Sequence, residues 1–210
     1  MPASSESGKS EPGRSPGPGK LRIYVPATIA MLQELVTDRE IRAINDTAFA
    51  VTPTLREAYA SGDDEELAEV AMGEAARAAL RLLAADREAP TADTDPATDA
   101  NDHDSEDNDG QAATDPVYRR AVIAADVPGT TLRPDLDDAV VRLSEPIAYG
   151  QIASVHVDLT EAEPAVARAV AVVDAADLGD EDAEFVLGDA EDHQLAWYAT
   201  QELPFLLELM

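Results

Sequence analysis

The sequence has 210 residues, no cysteine and a formal net charge of −28. The lack of cysteine excludes disulfides, thiolate metal sites and a cysteine nucleophile. The excess of acids disfavours DNA, RNA and anionic membranes as partners, because binding them requires clustered Lys and Arg. No run of ~18 apolar residues is present to span a bilayer, and the first twenty residues lack the apolar segment of a secretory signal. We therefore expect an acidic, soluble, cytoplasmic protein.

Two segments have the composition of disordered chain. Residues 1–20 are rich in Ser, Pro and Gly and offer too little apolar surface to offset the entropy of ordering. Residues 88–115 contain no Val, Ile, Leu, aromatic residue, Lys or Arg. We predict a disordered tail over 1–20 and a disordered acidic insert over 88–115, within a single domain that spans 21–210. His103 lies in this insert, where we expect a solvated side chain.

The first half of the domain begins with a predicted strand at 21–25. A helix follows, with Thr28 as N-cap and an apolar face of Ile29, Leu32, Leu35 and Val36. A short strand at 48–52 leads to a short helix over 53–62 that starts at Pro53. The longest helix is predicted over 63–86, with acids in its first turn as the helix dipole favours. Its inward stripe is predicted to contain the following residues: Leu67, Val70, Ala71, Glu74, Ala78 and Leu82.

The second half contains three predicted strands, at 117–127, 138–144 and 152–158. A helix over 163–179 follows, with Pro164 at its start and Gly179 just after its end. Several strands have no helix between them, so the pattern indicates an α+β fold (or α/β), with helices packed on a mixed β-sheet.

The segment after residue 180 fits two structures. One is a hairpin, with Gly188 and Asp189 in the turn and apolar and aromatic residues in both arms. In that case Thr200 caps a short closing helix. The other is a single helix over 190–203, which would place His193, Trp197 and Gln201 on one face. We favour the hairpin.

Several segments together resemble a family of conserved hypothetical proteins from actinobacteria. They include RIYVPATIAML, AFAVTPTLREAY, EELAEVAMGEAARAALRLLAAD, RAVIAADVP, ASVHVD, DEDAEF and HQLAWYATQE. The similarity covers about 21–87 and 116–205 and omits the tail and the insert. The resemblance implies a domain of unknown function, and it brings no activity, cofactor or catalytic residue with it.

The strand at 152–158 carries the first candidate site. Because side chains alternate along a strand, Ser154, His156 and Asp158 share one face, opposite Val155 and Val157. His156 and Asp158 suit a general base. If His193 lies close to them in the fold, the three residues also suit a metal site. The structural alternative is a histidine that donates a hydrogen bond to the neighbouring Asp158. The catalytic candidates are His156, Asp158 and His193.

The segment around residue 197 carries the second candidate site. Trp197 and Tyr198 are consecutive, so in a strand one faces the core and the other the surface. We expect Trp197 to be the core residue, because a Trp is more often a packed core anchor than a ligand platform. With Gln201 and Glu202 they are the binding candidates, although the last two also suit a helix cap. Residues 21–210 contain no lysine, which excludes a Schiff base and a phosphate-binding lysine there.

These observations favour a non-catalytic module that binds a small ligand or a protein, with no cofactor and no resident metal. One alternative is a metal-assisted, hydrolase-type enzyme centred on His156, Asp158 and His193. Another is an acidic docking or decoy module for a basic partner, whose complex would weaken steeply with salt.

The acidic insert leads to a first prediction. Deletion of residues 90–114 should leave folding intact, because long flexible insertions change the entropy of loop closure only slightly. The free energy of unfolding in urea should be the same for the deletion variant and the full chain. A deletion variant that does not fold would contradict the interpretation of this segment as an insert.

Overall fold

The computed structural model describes residues 19–59, 61–88 and 117–210. The predicted tail and insert, including His103, lie outside these residues except at their ends. Glu88, the first residue of the predicted insert, is the last residue of a long helix.

The centre of the fold is a seven-stranded sheet with helices packed on it, which confirms the α+β fold. Its strand order is β5-β6-β3-β1-β4-β8-β9, and each neighbouring pair is antiparallel. The sequence predicted a mixed sheet, but the described strands pair in one sense only. The seven strands are β1 (Leu21–Ala27), β3 (Thr47–Ala50), β4 (Ala121–Val127), β5 (Thr130–Leu132), β6 (Val140–Leu143), β8 (Ile152–Val157) and β9 (Ala196–Ala199). Two short strands, β2 (Glu40–Ile41) and β7 (Ile147–Ala148), form a separate pair.

Two helices cover one face of the sheet. Helix α1 (Ile29–Asp38) begins at Thr28, whose hydroxyl accepts a hydrogen bond from the Met31 amide, as the sequence predicts. Helix α6 (Leu203–Glu208) packs beside it. Apolar residues of the strands and both helices form one core, which includes Ile23, Val25, Leu32, Leu35, Ile123, Val155, Val157 and Leu203.

The longest helix, α3 (Asp64–Glu88), covers part of the opposite face. It packs over β1, β3 and β4, where Tyr24, Phe49 and Val122 meet Leu67 and its neighbours on the helix. Three further helices are α2 (Pro53–Ala58), α4 (Glu163–Asp177) and α5 (Glu181–Glu191). The second half of α3 packs against α4 and α5, so β8 and β9 are less covered on this face.

The buried stripe of α3 differs from the predicted one. Leu67 and Ala71 are buried as expected, but the stripe continues through Ala75 and Ala79, whereas Glu74 is only half-buried. Alanine is so frequent in this helix that apolar residues occur on more than one face. The sequence therefore does not define the phase of the stripe, and packing against the sheet and against α4 and α5 decides it.

The predicted hairpin near the C-terminus is wrong in its first arm. Residues Glu181–Glu191 form α5, because Asp180 caps the helix by accepting a hydrogen bond from the Ala183 amide and acids fill its first turn. Gly188 lies inside this helix and not in a turn. The second arm does form a strand, β9, which pairs with β8. Thr200 does not cap α6, since its hydroxyl donates to the Ile152 carbonyl.

The described helices include none that is both long enough and apolar enough to cross a membrane.

Candidate functional site

A groove runs along α3 above the part of the sheet that the helix leaves less covered. It consists of two adjoining cavities of about 660 and 630 Å³. Four residues line both cavities: Glu69 and Met72 from α3, His156 from β8 and Trp197 from β9. We call this space the α3 groove and these four residues its centre. Each cavity has the volume of a typical small-molecule site.

The strand register explains why His156 and Trp197 meet in the α3 groove. His156 lies directly opposite Trp197 in the β8–β9 pair. Residues opposite one another in antiparallel strands point to the same face of the sheet. Ala124 and Ser154 are also opposite one another, in the β4–β8 pair, and both line the second cavity. Their small side chains leave room between the sheet and the helix.

His156 is half-buried and hydrogen-bonded to Ser154. The Nε2 atom of His156 lies 3.1 Å from Oγ of Ser154. Burial, with a smaller contribution from the charge of Arg22, lowers the pKa of His156 from 6.5 to about 4. The imidazole is therefore neutral near pH 7. The sequence predicted Asp158 as its hydrogen-bond partner, but that carboxylate binds elsewhere.

Asp158 forms a buried ion pair with Arg120. Both side chains are almost fully enclosed, at 1% exposure for Arg120 and 0% for Asp158. The guanidinium donates from Nε to Oδ2 and from Nη2 to Oδ1, each at 2.8 Å, and the Arg120 amide also donates to Oδ2. Nη2 further donates to the carbonyl of His193 at 2.8 Å. Both carboxylate oxygens of Asp158 therefore already accept hydrogen bonds from Arg120. This makes Asp158 a structural residue and a poor general base or metal ligand.

The other candidates fall into two groups. His193 lines the first cavity, so both histidines border the α3 groove. Trp197 is 36% exposed there, whereas Tyr198 packs on the core face. The two side chains face opposite sides of the sheet, as expected for consecutive strand residues, but the expectation that Trp197 is the core residue is wrong. Glu202 accepts a hydrogen bond from the Ala199 amide at 2.9 Å and so caps the 3-10 turn Thr200–Glu202 that leads into α6. Gln201 and Glu202 do not line the groove. Among the described residues, no group of three or more His, Asp and Glu is placed to hold a metal ion.

Sequence reasoning missed the contribution of α3. Glu69 and Glu74 line the groove. Burial, reinforced by the charge of Asp137, raises the pKa of Glu74. The sequence did contain a signal for this contribution. Glu69 and Glu74 lie beyond the first turn of an alanine-rich helix, where the helix dipole no longer explains the presence of an acid.

The buried ion pair generates a prediction. Asp158→Asn should lower the free energy of unfolding by about 3–5 kcal/mol, because it leaves the buried charge of Arg120 without a counter-ion. Asp135→Asn is the matched control, since that acid pairs with Arg133 on an exposed surface and should contribute little. Urea unfolding of the two variants measures both effects. Equal losses would contradict the structural role of Asp158.

His156 generates a prediction about pH. Its pKa is about 4 in the folded protein and near 6.5 when unfolded, so between these values the unfolded chain binds more protons. The stability contributed by the neutral imidazole is therefore lost as pH falls from 6.5 towards 4. Between pH 7 and pH 4.5 the wild type should lose roughly 2 kcal/mol more than His156→Gln, at ~1.4 kcal/mol per pKa unit. Urea unfolding at the two pH values tests this, and parallel losses would mean that His156 titrates normally.

Comparisons with known proteins add a family and no activity. No curated protein and no solved structure matches this chain. Residues 21–207 match DUF6912, described as a family of unknown function, and the chain therefore belongs to that family.

Proposed function

We propose that this protein binds a small ligand in the α3 groove without transforming it. The observation that carries the proposal is the groove itself, in which a partly exposed Trp197 and a half-buried neutral His156 face acids of α3. Sites for small molecules combine apolar and aromatic surface with a few polar groups in this way.

Two features favour binding over catalysis. His156 contacts the Ser154 hydroxyl, an arrangement that resembles the start of a catalytic triad. In a triad an acid orients the imidazole, but here the nearby Asp158 is bonded to Arg120. A histidine with a pKa of about 4 is also a weak general base near neutral pH.

The charge of the chain limits the ligand. A net charge of −28 opposes binding of nucleic acid and of anionic membrane. We accordingly propose a small molecule as the partner, in a cytoplasmic protein, for which the cysteine-free sequence is suited.

The single tryptophan gives a direct test of the proposal. The chain has one Trp, and that residue lines the groove, so tryptophan emission, excited selectively over the tyrosines, reports on this site alone. We expect some members of a library of small polar and apolar compounds to shift or quench the Trp197 emission with saturable dependence on concentration. A library without any such compound would count against the proposal.

Two glycine variants locate the binding site. Gly73 lies in the wall of the groove and Gly188 lies in α5 outside it. A Cβ atom at either position would have no neighbouring atom within 4 Å. Both Gly→Leu changes should therefore fold and gain helix stability of up to about 1 kcal/mol. Gly73→Leu should weaken binding of any compound found by roughly tenfold or more because it fills the groove, whereas Gly188→Leu should not. Equal affinities in the two variants would place the ligand elsewhere.

A further inference from the structure

The centre of the α3 groove has the composition of a cation site. It combines the Glu69 carboxylate, the Met72 thioether, the His156 imidazole and the Trp197 indole. We propose that this centre binds a small organic cation with an alkylated ammonium group. The inference rests on the proposed function and specifies the class of ligand.

The charge balance of the groove favours a cation. Each arginine on its walls is already bound to a carboxylate, in the pairs Arg22–Asp126, Arg56–Asp64, Arg77–Glu184, Arg77–Glu191 and Arg120–Asp158. Glu69 and Glu74 also line the groove, but neither makes an ion pair or hydrogen bond with another described residue. Each arginine on the walls therefore has its own carboxylate partner, whereas neither of these two glutamates has an ion-pair partner among the described residues; Arg77 and Arg81 act on Glu74 without pairing with it.

Burial makes the negative charge of Glu74 unfavourable in the empty groove. Desolvation raises the pKa of this carboxyl. The charges of Asp137 and Glu191 act in the same direction, against those of Arg77 and Arg81. The positive charge of a bound cation would favour the ionised carboxylate and so offset the unfavourable contributions. His156 would not repel such a ligand, because its imidazole is neutral near pH 7.

The number of hydrogen-bond acceptors at the centre favours an alkylated over a primary ammonium. A primary ammonium group needs acceptors for three N–H donors. The acceptors at the centre are the two oxygen atoms of the Glu69 carboxylate and the ring nitrogens of His156, of which Nε2 is already hydrogen-bonded to Ser154. Trp197 and Met72 instead provide an aromatic and a polarisable surface. Trp is the aromatic residue that attracts cations most strongly, and quaternary ammonium groups are bound at such surfaces.

Choline and its neutral isostere test the charge requirement. In 3,3-dimethyl-1-butanol a carbon atom replaces the choline nitrogen, so the two molecules share a shape and differ in charge. Titration monitored by Trp197 emission in the full-length protein should show choline binding roughly tenfold or more tightly than the isostere. Ethanolamine, the primary ammonium analogue, should also bind more weakly than choline.

Two acid variants separate the site from the overall charge of the protein. Glu69→Gln should weaken choline binding by roughly tenfold. Glu57, like Glu69, is exposed, but it lies outside the groove. Glu57→Gln makes the same charge change and should leave the affinity within about twofold, since distant exposed charges are screened by salt. Trp197→Leu, measured by calorimetry because it removes the fluorophore, should also lose affinity.

The outcomes distinguish this inference from the proposed function. Equal binding of choline and its isostere, tighter binding of ethanolamine, or equal effects of the two acid variants would overturn the cation site. So would a lack of choline binding up to millimolar concentrations. In each case the proposed function stands if another compound binds in a manner sensitive to Gly73→Leu and insensitive to Gly188→Leu. The proposed function is overturned together with the cation site only if no compound binds in this manner.

Discussion

The buried ion pair between Arg120 and Asp158 holds together the three segments on which the α3 groove depends. Asp158 directly follows β8 and Arg120 directly precedes β4, so the pair locks the ends of adjacent strands. The Arg120 guanidinium donates a third hydrogen bond, to the His193 carbonyl, and this bond fixes the segment that leads into β9. Because β9 is an edge strand, this contact adds to the β8 pairing that holds Trp197 opposite His156. A single arginine thus connects the strand order to the geometry of the site.

The groove exists because the two faces of the sheet are covered differently. On one face, α1 and α6 bury a continuous core of Val, Ile and Leu. On the other, α3 covers β1, β3 and β4, and its second half packs against α4 and α5. Small residues at Ala124 and Ser154 do not fill the remaining space. The uneven cover leaves a histidine and a tryptophan beside a helix that carries acids.

Much of the fold could be predicted from the sequence, because its period-two and helical patterns are strong. The strand at 152–158 and the cap at Thr28 are where the patterns place them. The site was less accessible, since it depends on partners distant in the chain. Strand alternation placed His156 and Asp158 on one face but gave no sign that Arg120, 38 residues earlier, would bind the carboxylate. The hairpin predicted around Gly188 is wrong because Asp180 caps a helix there. The residues predicted as the first arm of the hairpin belong to that helix.

The α3 groove carries groups that do not serve stability. Glu74 is partly desolvated, and no arginine among the described residues forms an ion pair with it. Trp197 exposes a third of its surface on an edge strand, where exposed apolar side chains favour unwanted association. His156 makes the protein sensitive to acid through its lowered pKa. An alanine at Glu74 would relieve the first of these effects, and a glutamine at His156 would relieve the third in acid. Three such departures within one cavity are expected of a site maintained for binding, since functional sites are where proteins forgo stability.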